Sequence, residues 1–165
     1  MASTSSALGF KVCGLQVFNG DQSSRPGASG HCTTGGDGYW RPGKKWSKSL
    51  NVEQVREVVS LFCGFGQKSS MCPERRTAVL DGVLDQIHSI RTWFENQRSY
   101  HFYSASLLVL YEGQERDGNG EMADPNVKIY IIDFAHTFRP KNRVHDTNFI
   151  KGLHCLEQEL TALRA

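Results

Sequence analysis

Val127-Lys128-Ile129-Tyr130-Ile131-Ile132-Asp133-Phe134-Ala135-His136-Thr137 is the stretch on which the reading of this chain turns. A run so rich in β-branched and aromatic residues predicts a buried β-strand. An ionised carboxylate at the end of a buried strand has to be paired, hydrogen-bonded or bound to a metal. Asp133 therefore reads either as a cap on the turn that follows or as a deliberately placed acid, and the strand alone leaves both readings open.

The strand before it narrows the choice. His101 to Tyr111 is also strand-like, and the segment between them, 113–126, is polar and contains Gly113, Gly118, Gly120 and Pro125. Two strands joined by such a loop predict an antiparallel hairpin. If the hairpin is centred near Gly120, the constant sum of paired positions sets Ser106 opposite Asp133 to within a few residues. A hydroxyl and a carboxylate then share one end of the hairpin, a sensible oxygen pair for a divalent cation, with His136 three residues on as a phosphate donor.

Working outward, Asn51 with Gln54 forms a capping box ahead of a helix that puts Val52, Val55, Val59 and Phe62 on one face and stops at Gly64 and Gly66. Pro73 opens a longer amphipathic helix through about Gln97, carrying Leu80, Val83, Leu84, Ile87, Ile90 and Phe94. Asp146 is the expected N-cap of a last, docking helix with Phe149, Ile150, Leu153, Leu156, Leu160 and Leu163 on one side. Near the start, Leu8 to Phe18 reads as a strand, with Gly9 and Gly14 marking a bulge or a close backbone approach. Residues 19–43 read as a Gly/Ser-rich loop.

Composition bounds the function. The chain has 165 residues, 39% of them hydrophobic, enough for a single domain or a large piece of one. Nineteen Lys and Arg against seventeen Asp and Glu leave +2, too little to argue for a nucleic-acid partner. No apolar stretch approaches a bilayer span, and the first residues lack the regions of a signal peptide, so the expectation is a cytoplasmic or nuclear protein without membrane insertion. Five cysteines without a CxxC pair argue against a disulfide framework or a zinc site; His31-Cys32 is adjacent rather than spaced for chelation.

Ile132-Asp133-Phe134-Ala135-His136, together with Phe102-Tyr103-Ser104-Ala105-Ser106-Leu107-Leu108, resembles the inositol polyphosphate kinase family, whose IDF and SSLL signatures these are. Further similarity runs through Ser3 to Phe18, Trp93-Phe94-Glu95-Asn96-Gln97 and Asp146 to Leu153, and is strongest toward the multikinase branch. The resemblance implies an α+β fold, the C-terminal lobe of a kinase-like, ATP-grasp-related architecture in which helices pack on an antiparallel sheet of the Leu8 to Phe18 strand and the hairpin. It implies ATP and Mg2+ as cofactors and transfer of the γ-phosphoryl group to a hydroxyl of a soluble inositol trisphosphate or tetrakisphosphate. Asp133 matches the family's magnesium ligand and Ser106 the second Ser of SSLL beside metal and nucleotide phosphates. His136 matches a residue against the inositol phosphate, and Lys44 and Lys45 fall in a substrate-side segment.

Two departures accompany the resemblance. Ala105 replaces the first Ser of SSLL, on the opposite strand face from Ser106 by alternation. The chain also contains no PxxxDxKxG motif, whose Asp and Lys serve the substrate in the family, and no match to the N-terminal lobe that carries the ATP lysine and the adenine-binding hinge. On that pattern residues 1–165 form one partial domain, expected to be inactive or nearly so alone, with apolar surface exposed near the first strand and low stability or self-association. The alternative it leaves is a non-catalytic module that binds inositol phosphates or regulates a partner.

Overall fold

The computed structural model describes residues 4–18, 32–34 (backbone), 38–66, 69, 71–113 and 116–164. Helix α4, Pro73–Asn96, is the axis of the structure; Pro73 opens it, and it buries Val79, Leu80, Val83, Leu84, Ile87 and Phe94. Against it lie the hairpin strands β5, Ser106–Leu110, and β6, Lys128–Ile132, and the last helix α5, Thr147–Thr161. These elements share one core cluster. Helix α3, Val52–Phe62, lends Val59 and Phe62 to that cluster. Its other residues Val55 and Val58 join a second cluster with Leu8, Trp40, Trp46 and Leu50.

Side chains from α4 seal the hairpin. The Gln86 amide accepts from Ile129 N (2.8 Å) and donates to Val127 O, so one helix residue satisfies the edge of β6 that β5 does not cover. Arg75, fully buried, donates to the carbonyls of Glu112 and Ala123 where the hairpin loop leaves the strands. At Gly82 a Cβ would stand 2.8 Å from a Val127 methyl, so only glycine lets β6 begin this close to the helix. The Tyr111 hydroxyl donates to Phe62 O (2.6 Å), and burial pushes its pKa up to about 12.

Several expectations hold. The capping box at Asn51 and Gln54 is present, with both reciprocal hydrogen bonds. Asp146 caps α5 by accepting from Phe149 N (3.1 Å). Gly9 makes a close approach: it sits at φ +73 and meets Gly152 of α5, where a Cβ would be 2.9 Å from the Gly9 carbonyl.

Others are corrected. Leu8 to Phe18 is not one strand: α1, Thr4–Leu8, is helical, Gly9 ends it in the left-handed region, and only β1, Val17–Phe18, is paired. The partner explains why. β1 pairs with β3, Tyr39–Pro42, which is short and ends in a proline with no N–H to donate. Among the described residues, the single sheet expected of the first strand plus the hairpin is therefore three sheets: β1-β3-β2, with β2 at Cys32–Thr34; β4-β7, with β4 at His101–Phe102 and β7 at Thr137–Phe138; and β5-β6. Among its described residues the 19–43 loop thus contains β2 and β3, Tyr39 and Trp40 overriding the glycines around them. Its remaining residues 19–31 and 35–37, His31 included, lie outside the described residues. Within 113–126 the loop is pinched by an Arg116–Met122 bridge.

The hairpin is not buried on both faces. Leu107, Val109, Ile129 and Ile131 face the core, while Leu108 (40%), Leu110 (47%), Tyr130 (52%) and Ile132 (40%) are exposed. This outer face thus exposes apolar surface, as Phe18 (70%) does at the first strand. Cys13, Cys63 and Cys155 are free thiols, and burial lifts the Cys63 thiol to about 12, which leaves it inert at neutral pH.

Asp146 does more than cap. Its second oxygen accepts from Phe102 N (2.8 Å), tying β4 to the start of α5 in a nearly closed environment (5% exposed). Asp146→Ala should cost about 2 to 3 kcal/mol in urea unfolding, because two backbone donors lose one shared acceptor, against about 1 kcal/mol for Asn51→Ala at the exposed cap of α3.

Candidate functional site

The register of the hairpin builds the site. Ser106 pairs with Ile132, so Asp133 is the next residue past the last rung, one position from the expected pairing with Ser106. Beyond it the two chains stay together: Tyr103 N donates to His136 O (3.0 Å), and Phe102 pairs with Thr137 and His101 with Phe138. Between the rungs 102–137 and 106–132, three residues, 103–105, face four, 133–136. One strand thus carries an extra residue, the arrangement of a β-bulge.

Both sides show the cost of that mismatch. Ser104 sits at φ +59 and Asp133 at φ +66, left-handed conformations that L-residues avoid and that Asp tolerates better than most. The extra residue turns the chain, with Thr137 N donating to Phe134 O (3.2 Å), and leaves Asp133 and His136 both exposed. This replaces the expectation of an acid paired in a buried setting: Asp133 is presented to solvent by a backbone kink. Phe134 anchors the kink, its ring 6.0 Å from that of Phe102, which in turn packs on Phe94 and Phe149.

Ser106, Asp133 and His136 are therefore brought to one end of the hairpin, while Ala105 lies in the crossing segment just outside β5. Ser106 shares its strand face with Leu108 and Leu110, and the cross-strand partners Ile132, Tyr130 and Lys128 complete that outer face. Lys44 and Lys45 do not join this group. They open α2, Lys44–Ser49, exposed on either side of a chain anchored by buried Trp46, whose ring lies 5.3 Å from Trp40 in the second core cluster. Among the described residues no hydrogen bond or ion pair links them to the hairpin end.

An open groove of about 430 Å³ lies behind the kink, lined by Ser89, Ile90, Trp93, Phe102, Ile131 and Phe134. Its walls are almost wholly apolar, so it does not suit a phosphorylated ligand. Among the described residues no group of three or more His, Cys, Asp and Glu side chains could cage a metal. The donor set at the hairpin end, one carboxylate and one hydroxyl, instead fits Mg2+ or Mn2+, which commonly take one or two carboxylates and complete their shell with water and ligand phosphates. Sequence reasoning missed the exposed face and the bulge. The face was hidden in a run that is apolar on both sides of the strand, and the bulge had no local signal.

Fold and donor set together define a class: a kinase-like α+β lobe with an oxygen-ligand pair at a hairpin end. The comparison with known proteins gives the family. The family model of inositol polyphosphate kinases matches residues 1–161, and the chain belongs to that family. It is 32% identical over 158 residues to inositol polyphosphate multikinase alpha of Arabidopsis thaliana, a match covering 91% of this chain and 49% of that protein. A solved inositol phosphate multikinase superposes with a TM-score of 0.70 at 27% identity, covering 97% of this chain and 64% of that one. The multikinase Ipk2 of S. cerevisiae, solved in complex with ADP and Mn2+, shares the fold with a TM-score of 0.78 at 20% identity, covering 99% and 67%. The chain thus spans about half the length of its Arabidopsis relative.

The left-handed backbone at Asp133 separates folding from chemistry. Asp133→Gly should be at least as stable as the unmodified chain, and Asp133→Val less stable by about 1 to 2 kcal/mol, in thermal or urea unfolding. Equal destabilisation by both would show that the kink is not a conformational constraint.

Proposed function

We propose that this chain carries the metal- and phosphate-facing hairpin of an inositol polyphosphate kinase, which transfers the γ-phosphoryl group of ATP to a hydroxyl of a soluble inositol phosphate such as a trisphosphate or tetrakisphosphate. The observation that carries the reading is the Ser106–Ile132 rung with the bulge behind it, since it presents a hydroxyl, a carboxylate and an imidazole at one hairpin end in a member of this family.

Asp133 and Ser106 are the groups that would hold a divalent cation, which when bound supplies charge neutralisation to the nucleotide phosphates. Asp133 contributes a carboxylate that the kink leaves exposed. Ser106 contributes a hydroxyl from a strand fixed by five cross-strand pairs, a rigid platform for a positioned ligand. His136 can donate to a phosphate of the acceptor, and Lys44 and Lys45, on α2 and apart from the hairpin end, would act as point charges toward the acceptor's other phosphates.

Phosphoryl transfer depends on positioning and electrostatics supplied by several groups at once. The PxxxDxKxG motif is absent from these 165 residues, so we place the chain by itself as a binder of inositol phosphate and metal–nucleotide with little or no turnover, which is how a non-catalytic module would also behave. The test is ATP-dependent phosphorylation of inositol trisphosphate with Mg2+, next to an Asp133→Asn control. The expected result is no turnover above the control together with retained inositol phosphate binding. Turnover that Asp133→Asn abolishes would contradict the inactivity, and absence of inositol phosphate binding would contradict the assignment.

A further inference from the structure

From Phe134 to His145 the chain carries Arg139, Lys141 and Arg143, plus His136 and His145, and no acid. Arg98 lies against the same segment. With Arg98 the segment presents four cations between two acids, Asp133 just before it and Asp146 just after it. All four are exposed.

The segment is fixed rather than loose. Arg139 donates to the Tyr100 hydroxyl (2.9 Å) and its guanidinium stands 5.2 Å from that ring's centre. His101 Nε2 meets Val144 O at 3.0 Å, and Arg98 donates to His145 Nε2 (3.0 Å). A turn closes over Lys141, with Arg143 N toward Pro140 O at 3.5 Å and Arg143 at φ +45. Beyond it, Asp146 ties Phe102 to α5.

The partners matter as much as the restraint. Arg98 and Arg139 are held by neutral acceptors, whereas Arg56, Arg91 and Arg164 elsewhere on the surface are paired with Glu159, Glu95 and Glu157, and Asp81. The Arg98 and Arg139 guanidiniums thus have fixed geometry and, among the described residues, no carboxylate in an ion pair with them, which is what multidentate capture of phosphate needs. Exposed Phe138 and Tyr103 flank them, and His136, three residues before Arg139, connects the rim to the hairpin end.

We propose that Arg98, Arg139, Lys141 and Arg143 form an anion-binding rim for a ring bearing clustered phosphate monoesters, beside the Asp133 to His136 end of the hairpin. The identity of the ring rests on the functional reading above; the anion binding does not. Two sources share this chemistry, a free inositol polyphosphate and a phosphoinositide headgroup.

The test titrates the full chain with inositol hexakisphosphate, and separately with phosphatidylcholine vesicles containing phosphatidylinositol bisphosphate. The rim variant R139Q/K141Q/R143Q should bind at least tenfold more weakly, while R56Q/R164Q, which removes paired cations elsewhere, stays within twofold. Should the triple variant fold poorly, K141Q alone, in the turn, should still weaken binding about threefold. Whichever of the two ligands shows rim-dependent binding identifies the source. Binding of the rim variant within twofold of the unmodified chain overturns the proposal. So does equally tight binding of phosphatidylserine vesicles or a single-stranded oligonucleotide, which would mark a general polyanion surface. Binding lost in His136→Ala but kept in the rim variant overturns the rim and leaves the functional reading standing. Rim-dependent binding with no response of Asp133 to Mn2+ and ATP does the reverse.

Discussion

A two-stranded hairpin is marginal in water, and everything at this site depends on what holds one in place. Helix α4 does so. Gln86 takes the carbonyl of Val127 and the amide of Ile129, Arg75 takes the carbonyls of Glu112 and Ala123, and Gly82 leaves room for Val127. The hairpin's inner face then packs against the core cluster around the helix. With the strands pinned, their far end can carry a strained kink without unravelling.

That kink follows from the ladder. Three residues face four between two well-formed rungs, so the surplus residue must be accommodated by left-handed backbone at Ser104 and Asp133. Strain of this kind persists where its surroundings over-determine it, and here Phe134 on Phe102, Tyr103 on His136 and Asp146 on Phe102 do so. The consequence is chemical: a carboxylate that would otherwise follow strand alternation is turned out beside a hydroxyl and an imidazole.

Much of this was legible in the sequence, for identifiable reasons. The long helices were readable because their periodicity is strong and their caps, Asn51, Pro73 and Asp146, are unambiguous. The hairpin register was readable to one residue because the loop fixes the sum of paired positions. Leu8 to Phe18 was misread because its apolar content suits a strand, while its pairing is limited by a short partner, Tyr39–Pro42, far along the chain. The openness of the hairpin was hidden because a continuous apolar run has the same composition whether one face or both are covered. Of the site, Ser106, Asp133 and His136 are adjacent through local pairing and were accessible to counting. Lys44 and Lys45 depend on how the two core clusters are arranged, which no local pattern encodes.

The central claim is that the kinked hairpin end holds a divalent cation with nucleotide phosphates. Paramagnetic broadening of backbone amide signals by Mn2+ in the presence of ATP tests it directly. The account predicts broadening centred on Ser104 to Ser106 and Asp133 to Thr137 that disappears in Asp133→Asn. Broadening centred elsewhere, for instance on the His88 and Glu157 surface, or unaffected by that substitution, would contradict it.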